Sequence, residues 1–335
     1  ENFKVSGKNN KFNFKNIKIG KNFKVNDFQL IQAKYLTKNN FINDIKIQKK
    51  NNIIKLVSKN LDVGVNIENS LKGTNKKNFF DIFENLNSTI NIDIKSAKVD
   101  NEHNLNDFNG QIIIKNNKVD KAKLTAFFDS SNNFIFTKDE IDGKKVTTIF
   151  SDLAKPFVKK FDFIKEFEDG KFDYTSTEVS KNLSKSELRI YDFKLHDMPA
   201  LTKLLSLASL QGIADLATGQ GIRFNEFDMF FENSKNLIKI NEIYALGPAI
   251  SILMEGYVEK NKLISLRGTL VPATTINKTI AKIPLLGNIL VGEKVGEGVF
   301  GVSFKIKGPP NDLDTKVNPI KTLTPRFITR TLDKI

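Results

Sequence analysis

Cysteine is absent, tryptophan is absent, and the chain holds only two histidines, His103 and His196. No cysteine means no disulfide framework, no thiolate metal site and no cysteine nucleophile. Two histidines are too few for a metal site built on several imidazoles. Arginine is nearly absent as well: the 52 basic residues are almost all lysine, set against 38 acids for a net charge of +14. Nucleic-acid interfaces favour arginine with exposed, interleaved aromatics, so this scarcity argues against one. Long apolar runs are missing too. The longest uncharged apolar windows, Leu204 to Ala214 and Ile283 to Gly292, fall well short of the ~20 residues that a spanning helix needs. No charged segment followed by an apolar one opens the chain, so no signal peptide is read. A start at Glu1 without Met favours a fragment whose anchor and targeting signal lie upstream.

What is present is lysine, asparagine, isoleucine and phenylalanine, all written with AT-rich codons, so the skew reads first as genome bias. The 335 residues suit about two domains or one elongated one. Hydrophobic residues at 40% and charged residues at 27% are too apolar for disorder and too polar for an integral membrane protein. The charge is uneven: residues 1–100 carry 19 Lys and 9 acids, net +10. Such a basic third can face acidic lipid, polysaccharide or nucleic acid, or can simply be a solvated surface.

Period-two alternation dominates. Ile90/Ile92/Ile94, Ile112/Ile114, Phe134/Phe136, Phe172/Tyr174, Leu188/Ile190 and Phe227/Met229/Phe231 each set an apolar face against a polar one. So do Ile238/Ile240, Ile250/Ile252/Met254, Ile264/Leu266 and Val302/Phe304/Ile306. These are half-buried strands, separated by turns such as Asn116-Asn117, Asp142-Gly143 and Gly247-Pro248. Close succession and short turns predict an antiparallel meander. Four segments break the period and predict helices: Asp152 to Phe167 with Ser151 as N-cap, Met198 to Ala217, Thr274 to Val291, and Thr324 to Leu332. Helix is expected to hold about a fifth of the residues, against a base rate near a third. A loose internal echo links Phe108–Ala126 with Phe224–Ala245. About twenty one-sided strands with few helices pose a covering problem. Either sheet faces cover each other in a sandwich, or an open curled sheet leaves an apolar trough, roughly 95 Å long at ~4.8 Å per strand.

No catalytic constellation stands out. Gly219-Gln-Gly221 and Gly296-Glu-Gly298 lack a third glycine and read as turns. His196 has Asp192 and Asp197 nearby but no further partner in sequence. Glu166-Phe-Glu168-Asp169-Gly170 lacks calcium-loop spacing and marks a helix end and turn. The expectation is a protein that is not an enzyme and uses neither cofactor nor metal.

The C-terminal part carries a series of phrases: Leu204 through Phe224, Arg267-Gly-Thr-Leu-Val-Pro-Ala273, Ile283-Pro-Leu-Leu-Gly-Asn-Ile-Leu-Val-Gly292, Val299-Phe-Gly-Val-Ser-Phe304, Gly308-Pro and Val317-Asn-Pro319. Upstream stand Ser151-Asp-Leu-Ala-Lys-Pro-Phe157 and Glu168-Asp-Gly-Lys-Phe172. Together they resemble the C-terminal region of AsmA-like proteins, the YhdP/TamB-type superfamily of Gram-negative envelopes. The resemblance covers roughly residues 91–335, leaving 1–90 as a basic, β-rich part. It implies a mainly β fold, a long curled antiparallel sheet forming an open apolar groove with a few short amphipathic helices. It further implies a periplasmic protein anchored in the inner membrane, carrying phospholipid in support of the outer-membrane barrier. The alternative is an envelope assembly factor for outer-membrane proteins, and a third reading is a binder of acidic polymer. On the groove reading the lining is Ile112, Ile114, Phe134, Phe136, Phe172, Tyr174, Leu188, Ile190, Phe227, Met229, Phe231, Ile238, Ile240, Ile252, Met254, Leu266, Val302, Phe304 and Ile306. Leu201, Leu204, Leu205 and Ala208 form either a core plug or a lid that contacts membrane. The partners are then acyl chains, the inner membrane and the outer membrane or its proteins, with no nucleic acid.

Overall fold

A computed structural model describes residues 1–37, 40–64, 79–158, 166–196, 199–207, 219–260, 262–272, 301–310 and 312–320. Strand accounts for 70% of these and helix for 6%, in one 18-stranded sheet that does not close into a barrel. The helical share is well below a fifth among the described residues. The expected helices Thr274 to Val291 and Thr324 to Leu332 lie outside them.

The chain divides into two compact units. Unit 1 holds Glu1–Lys160 and Phe172–Thr177. Its strands are β1 (Phe3–Ser6), β2 (Lys11–Lys15), the small separate hairpin β3 (Lys18–Ile19) and β4 (Val25–Asp27), β5 (Leu30–Leu36), β6 (Ile42–Lys50), β7 (Ile53–Asp62), β8 (Ser88–Lys98), β9 (Asn104–Lys115), β10 (Lys118–Phe127), β11 (Asn133–Ile141) and β12 (Lys144–Ser151). Part of β13 (Glu166–Ser180) completes it. Neighbours pair antiparallel with one exception: β7 and β8 run parallel, Ile54 beside Ile90 and Leu56 beside Ile92. The meander expectation is corrected here. Residues 63–87 connect the two strands, long enough for the crossover that a parallel pair requires.

Unit 2 holds Phe161–Lys171 and Glu178–Ile335. It contains β14 (Leu183–His196), β15 (Ile222–Ser234), β16 (Leu237–Leu246), β17 (Ile250–Glu259), β18 (Leu263–Pro272), β19 (Gly301–Gly308) and β20 (Asp314–Ile320), with every pair antiparallel. The echoed stretches prove to be two hairpins, β9–β10 and β15–β16.

Bulges set the phase of the faces. In β10 the register shifts between Val119 and Lys121. The intervening Asp120 accepts from Lys145 Nζ at 2.7 Å and lies 2.7 Å from Lys115 Nζ. Those hydrogen bonds hold its carboxyl down to about 2. In unit 2 the register shifts between Ile240 and Ile243, opposite Gly256. Gly256 has φ 152°, and a Cβ there would lie 2.1 Å from the Ser265 carbonyl oxygen. Gly256→Ala therefore combines backbone strain with a clash against main chain. It is expected to cost about 2–4 kcal/mol in urea unfolding. Gly143→Ala, at a turn with φ 73° and open space around its Cβ, should cost only about 1 kcal/mol.

Among the described residues the helices are α1 (Lys155–Val158) and α2 (Pro199–Leu207), beside a 3₁₀ turn at Phe79–Ile82. The expected helix from Asp152 to Phe167 is corrected: Glu166 and Phe167 belong to β13, and 159–165 lie outside the described residues. Ser151 is not its N-cap. Its Oγ bonds both N and O of Leu153, and the carbonyl that opens α1 is that of Ala154. Ser151 is the last residue of β12, and the N–H of Asp152 still donates to the Asn133 carbonyl of β11, so the chain leaves the strand only after Ser151. The acidic cluster at 166–170 likewise sits within β13. Asp169 and Gly170 take left-handed φ of 60° and 84° there and kink the strand. Of the expected helix Met198 to Ala217, Pro199–Leu207 is helical and the rest lies outside the described residues.

Candidate functional site

Register decides which side chains share a face, because residues directly opposite on paired strands point the same way. In unit 1 the chain of partners runs Phe14–Ile31–Ile47–Leu56–Ile92–Gly110–Leu124–Phe136–Ile149–Tyr174. A second row of the same face reads Phe12–Ala33–Ile45–Ser58–Ile94–Phe108, and beyond a second register shift of the β9–β10 pair, between Thr125 and Phe127, Phe134–Ser151–Phe172. Ile112 and Ile114 occupy the neighbouring rows with Ile90 and Ser88. All six unit-1 residues of the candidate lining therefore lie on one face. The opposite face is polar and cross-linked by side chains: Asn13 donates to Gln32 at 2.8 Å, Gln111 to Asn91 at 3.0 Å, and Lys121 pairs Asp139 at 2.7 Å.

Both ends of this face are closed within the unit. At one end Phe157 of α1 stacks on Phe134 at 5.7 Å and on Phe172 at 5.1 Å, and Phe157 is 1% exposed. At the other, Ile17, Phe28, Phe83 and Leu86 pack with Ile47, Ile54, Ile90 and Ile114 into a core cluster. Phe14, Ile31, Leu56 and Ile92 are half-buried against that cluster, whereas toward β13 half-buried Phe136 and Tyr174 alternate with buried Leu124 and Ile149. Beside Phe28 and Lys49 lie a polar-rimmed cavity of about 220 Å³ and a more open one of about 680 Å³ that Asn16, Lys18, Asp27 and Gln29 also line.

Unit 2 repeats the pattern. One row reads Ile190–Phe227–Ala245–Ile252–Leu270–Val302, the next Leu188–Met229–Ile243–Met254–Gly268–Phe304, and a third Phe231–Ile240–Gly256–Leu266–Ile306. Ile238 lies beyond, opposite Val258. Every unit-2 strand residue of the candidate lining is on this face. Burial is uneven along it: Ile190, Ile252, Leu270 and Val302 are buried, as are Leu188, Ile240, Ile243, Phe304 and Ile306, whereas Phe227, Met229, Phe231, Ile238, Met254 and Leu266 are half-buried. Phe193 joins the buried end by stacking on Phe167 at 5.2 Å and Phe224 at 5.4 Å. The exposed Asp192, with φ 52°, lets Ile190 and Phe193 fall on one side although three residues apart.

The helix residues are placed as follows. Leu201, Leu204 and Leu205 are 8%, 2% and 0% exposed, and α2 packs against β20. Membrane contact through these three would require α2 to leave the sheet. Ala208 lies outside the described residues. Unit 2 departs from one-sidedness in one place, where the opposite face buries Asp228, Tyr244, Leu253 and Val271. Arg189 there pairs with Glu187 and lies 3.7 Å from Asp228. Burial opposes the charge on Arg189, but the nearby carboxylates and Tyr191 outweigh it and hold the guanidinium above its ordinary value.

His196 ends β14 with Nε2 3.2 Å from Glu168 Oε2 and its ring over Gly221. His103 lies in the β8–β9 turn with Nδ1 2.9 Å from Asp100. Among the described residues no cluster of three metal-ligating side chains occurs, and no helix is long and apolar enough to cross a membrane. The candidate lining omitted the N-terminal half of unit 1, including Phe12, Phe14, Ile31 and Leu56, although their alternation was the available signal. It also omitted Ile243 and Ala245, whose phase the bulge hides. The chain matches no family model, no curated protein and no solved structure.

Proposed function

We propose that this protein is a non-enzymatic lipid-transfer protein whose apolar sheet faces receive phospholipid acyl chains. The observation that carries this reading is the one-sided apolar row from Phe14 to Tyr174 across unit 1, in which half-buried Phe136 and Tyr174 alternate with buried Leu124 and Ile149, with its counterpart Phe227, Met229, Phe231 and Met254 in unit 2. A soluble domain rarely leaves a long apolar row uncovered without a ligand or partner for it. An acyl chain moving from water onto such a row gains about 0.8 kcal/mol per buried CH₂. Because the apolar residues along one row are alike, successive positions are close in energy, and a chain can shift along the row from strand to strand without a deep trap. The head group stays in water, so no charged pocket is needed. The resemblance to AsmA-like proteins adds the setting: the periplasm, with attachment to the inner membrane and delivery in support of the outer membrane.

The test is mass spectrometry of an organic extract of the purified protein, together with photo-crosslinking from probes at positions 136 and 229. Phospholipid in the extract and lipid adducts at both positions are expected. A folded protein yielding neither would end this reading, and the envelope assembly role would replace it.

A further inference from the structure

We propose that the β3–β4 hairpin of unit 1 docks onto an anionic phospholipid bilayer surface, with Phe23 entering the interfacial layer and the surrounding lysines meeting head groups. Phe23 is 92% exposed, the most exposed large hydrophobic residue described. It also has φ 61°, a left-handed conformation that suits glycine or asparagine and is a genuine outlier for a bulky aromatic. The turn holds it there: Phe23 N–H donates to the Gly20 carbonyl, Gly20 N–H to the Lys24 carbonyl, and Lys24 N–H to the Asn22 side chain. The residue therefore carries backbone strain and exposed aromatic surface with no packing in return, and strain of this kind concentrates at functional positions.

Its surroundings indicate the partner. Residues 15–26 contain four lysines, Lys15, Lys18, Lys21 and Lys24, and no acid. Lys18, Lys21 and Lys15 are exposed. Asp27, which ends β4, is paired by Lys49 at 2.7 Å and lies 4.0 Å from Lys18 Nζ, and Glu84 receives Asn22 at 3.4 Å. Ile19, 52% exposed, shares the hairpin. Ile82, 46% exposed, precedes Phe83, which bridges Val25. An aromatic tip with flanking aliphatics and a lysine collar matches the amphipathic chemistry of an anionic membrane interface. A nucleic acid would offer no apolar layer for Phe23 and Ile19.

The chain lacks tryptophan, so Phe23→Trp supplies a single reporter at the tip. Its emission should shift to the blue with phosphatidylcholine vesicles containing about one third phosphatidylglycerol, and not with pure phosphatidylcholine vesicles. In co-sedimentation, Phe23→Ala should weaken binding about tenfold, and each of Lys18→Ala and Lys21→Ala about fivefold. Higher salt should weaken it further. Thermal melts of these variants should match the parent, since none of the three side chains is packed. The lipid content of organic extracts should be unchanged by Phe23→Ala, which separates tip docking from acyl-chain binding on the sheet. An unshifted tryptophan, or vesicle binding indifferent to Phe23→Ala, would overturn the proposal. A shift produced by polyglutamate but by no vesicle would overturn it in favour of an acidic protein partner.

Discussion

Replacing Ile252 by Asp is expected to unfold unit 2, whereas Met229→Asp on the same face is expected to leave it folded. Ile252 is 5% exposed in the row Ala245–Ile252–Leu270, flanked by fully buried Leu270 and Val302. A carboxylate there would be buried without a partner, at a cost of several kcal/mol, or would remain protonated with its pKa raised. Met229 lies one row away, half-buried between Phe227 and Phe231. A carboxylate at that position keeps part of its hydration, and about 1–2 kcal/mol should be lost. Urea unfolding of the two variants measures the difference. If acyl chains use this face, Met229→Asp should also lower lipid crosslinking from a probe at position 254 in a protein that remains folded. Equal stability of the two variants would contradict the difference in burial between Ile252 and Met229. Unchanged crosslinking in folded Met229→Asp would count against passage along it.

The second large effect is expected at α1. Phe157→Ala removes a ring that is 1% exposed and lies against Phe134, Phe172 and Phe128. Phe134 and Phe172 belong to strands held by their ladders, so their rings cannot collapse into the space, and most of the cavity cost applies. About 3–5 kcal/mol should be lost, part of it from the aromatic pairs themselves. Phe136→Ala, half-buried in the open row of the same face, should cost much less, about 1 kcal/mol. Chemical denaturation of both variants tests the closed-end, open-middle arrangement. A cost at Phe157 no greater than that at Phe136 would mean that α1 does not seal the face.

Much of this face was legible in the sequence. Side chains alternate because successive Cβ atoms in an extended chain point to opposite sides, a property of local backbone geometry. Pairs such as Phe134/Phe136, Leu188/Ile190 and Phe304/Ile306 therefore identified their common face without tertiary information. The turns were legible too, since Asn116, Asn117 and Asp142 take the left-handed φ that their residue types tolerate. Alternation also shows that an apolar face exists, although not how much of it stays wet.

The tertiary structure decided where that pattern breaks and which parts are covered. The relative direction of β7 and β8, which pair parallel, is not encoded in strand periodicity. The shift between Ile240 and Ile243 moves Ile243 and Ala245 onto the apolar face, and a period-two reading places them on the other. Burial of Ile252 but not of Met229, and of Phe157 but not of Phe136, depends on what packs above each row. Phe23 is the sharpest case: in sequence it is one phenylalanine among 28, and only its turn shows it exposed and strained. Alternation is set by bonds one residue apart. Burial is set by neighbours many residues away, and only the folded chain brings those together.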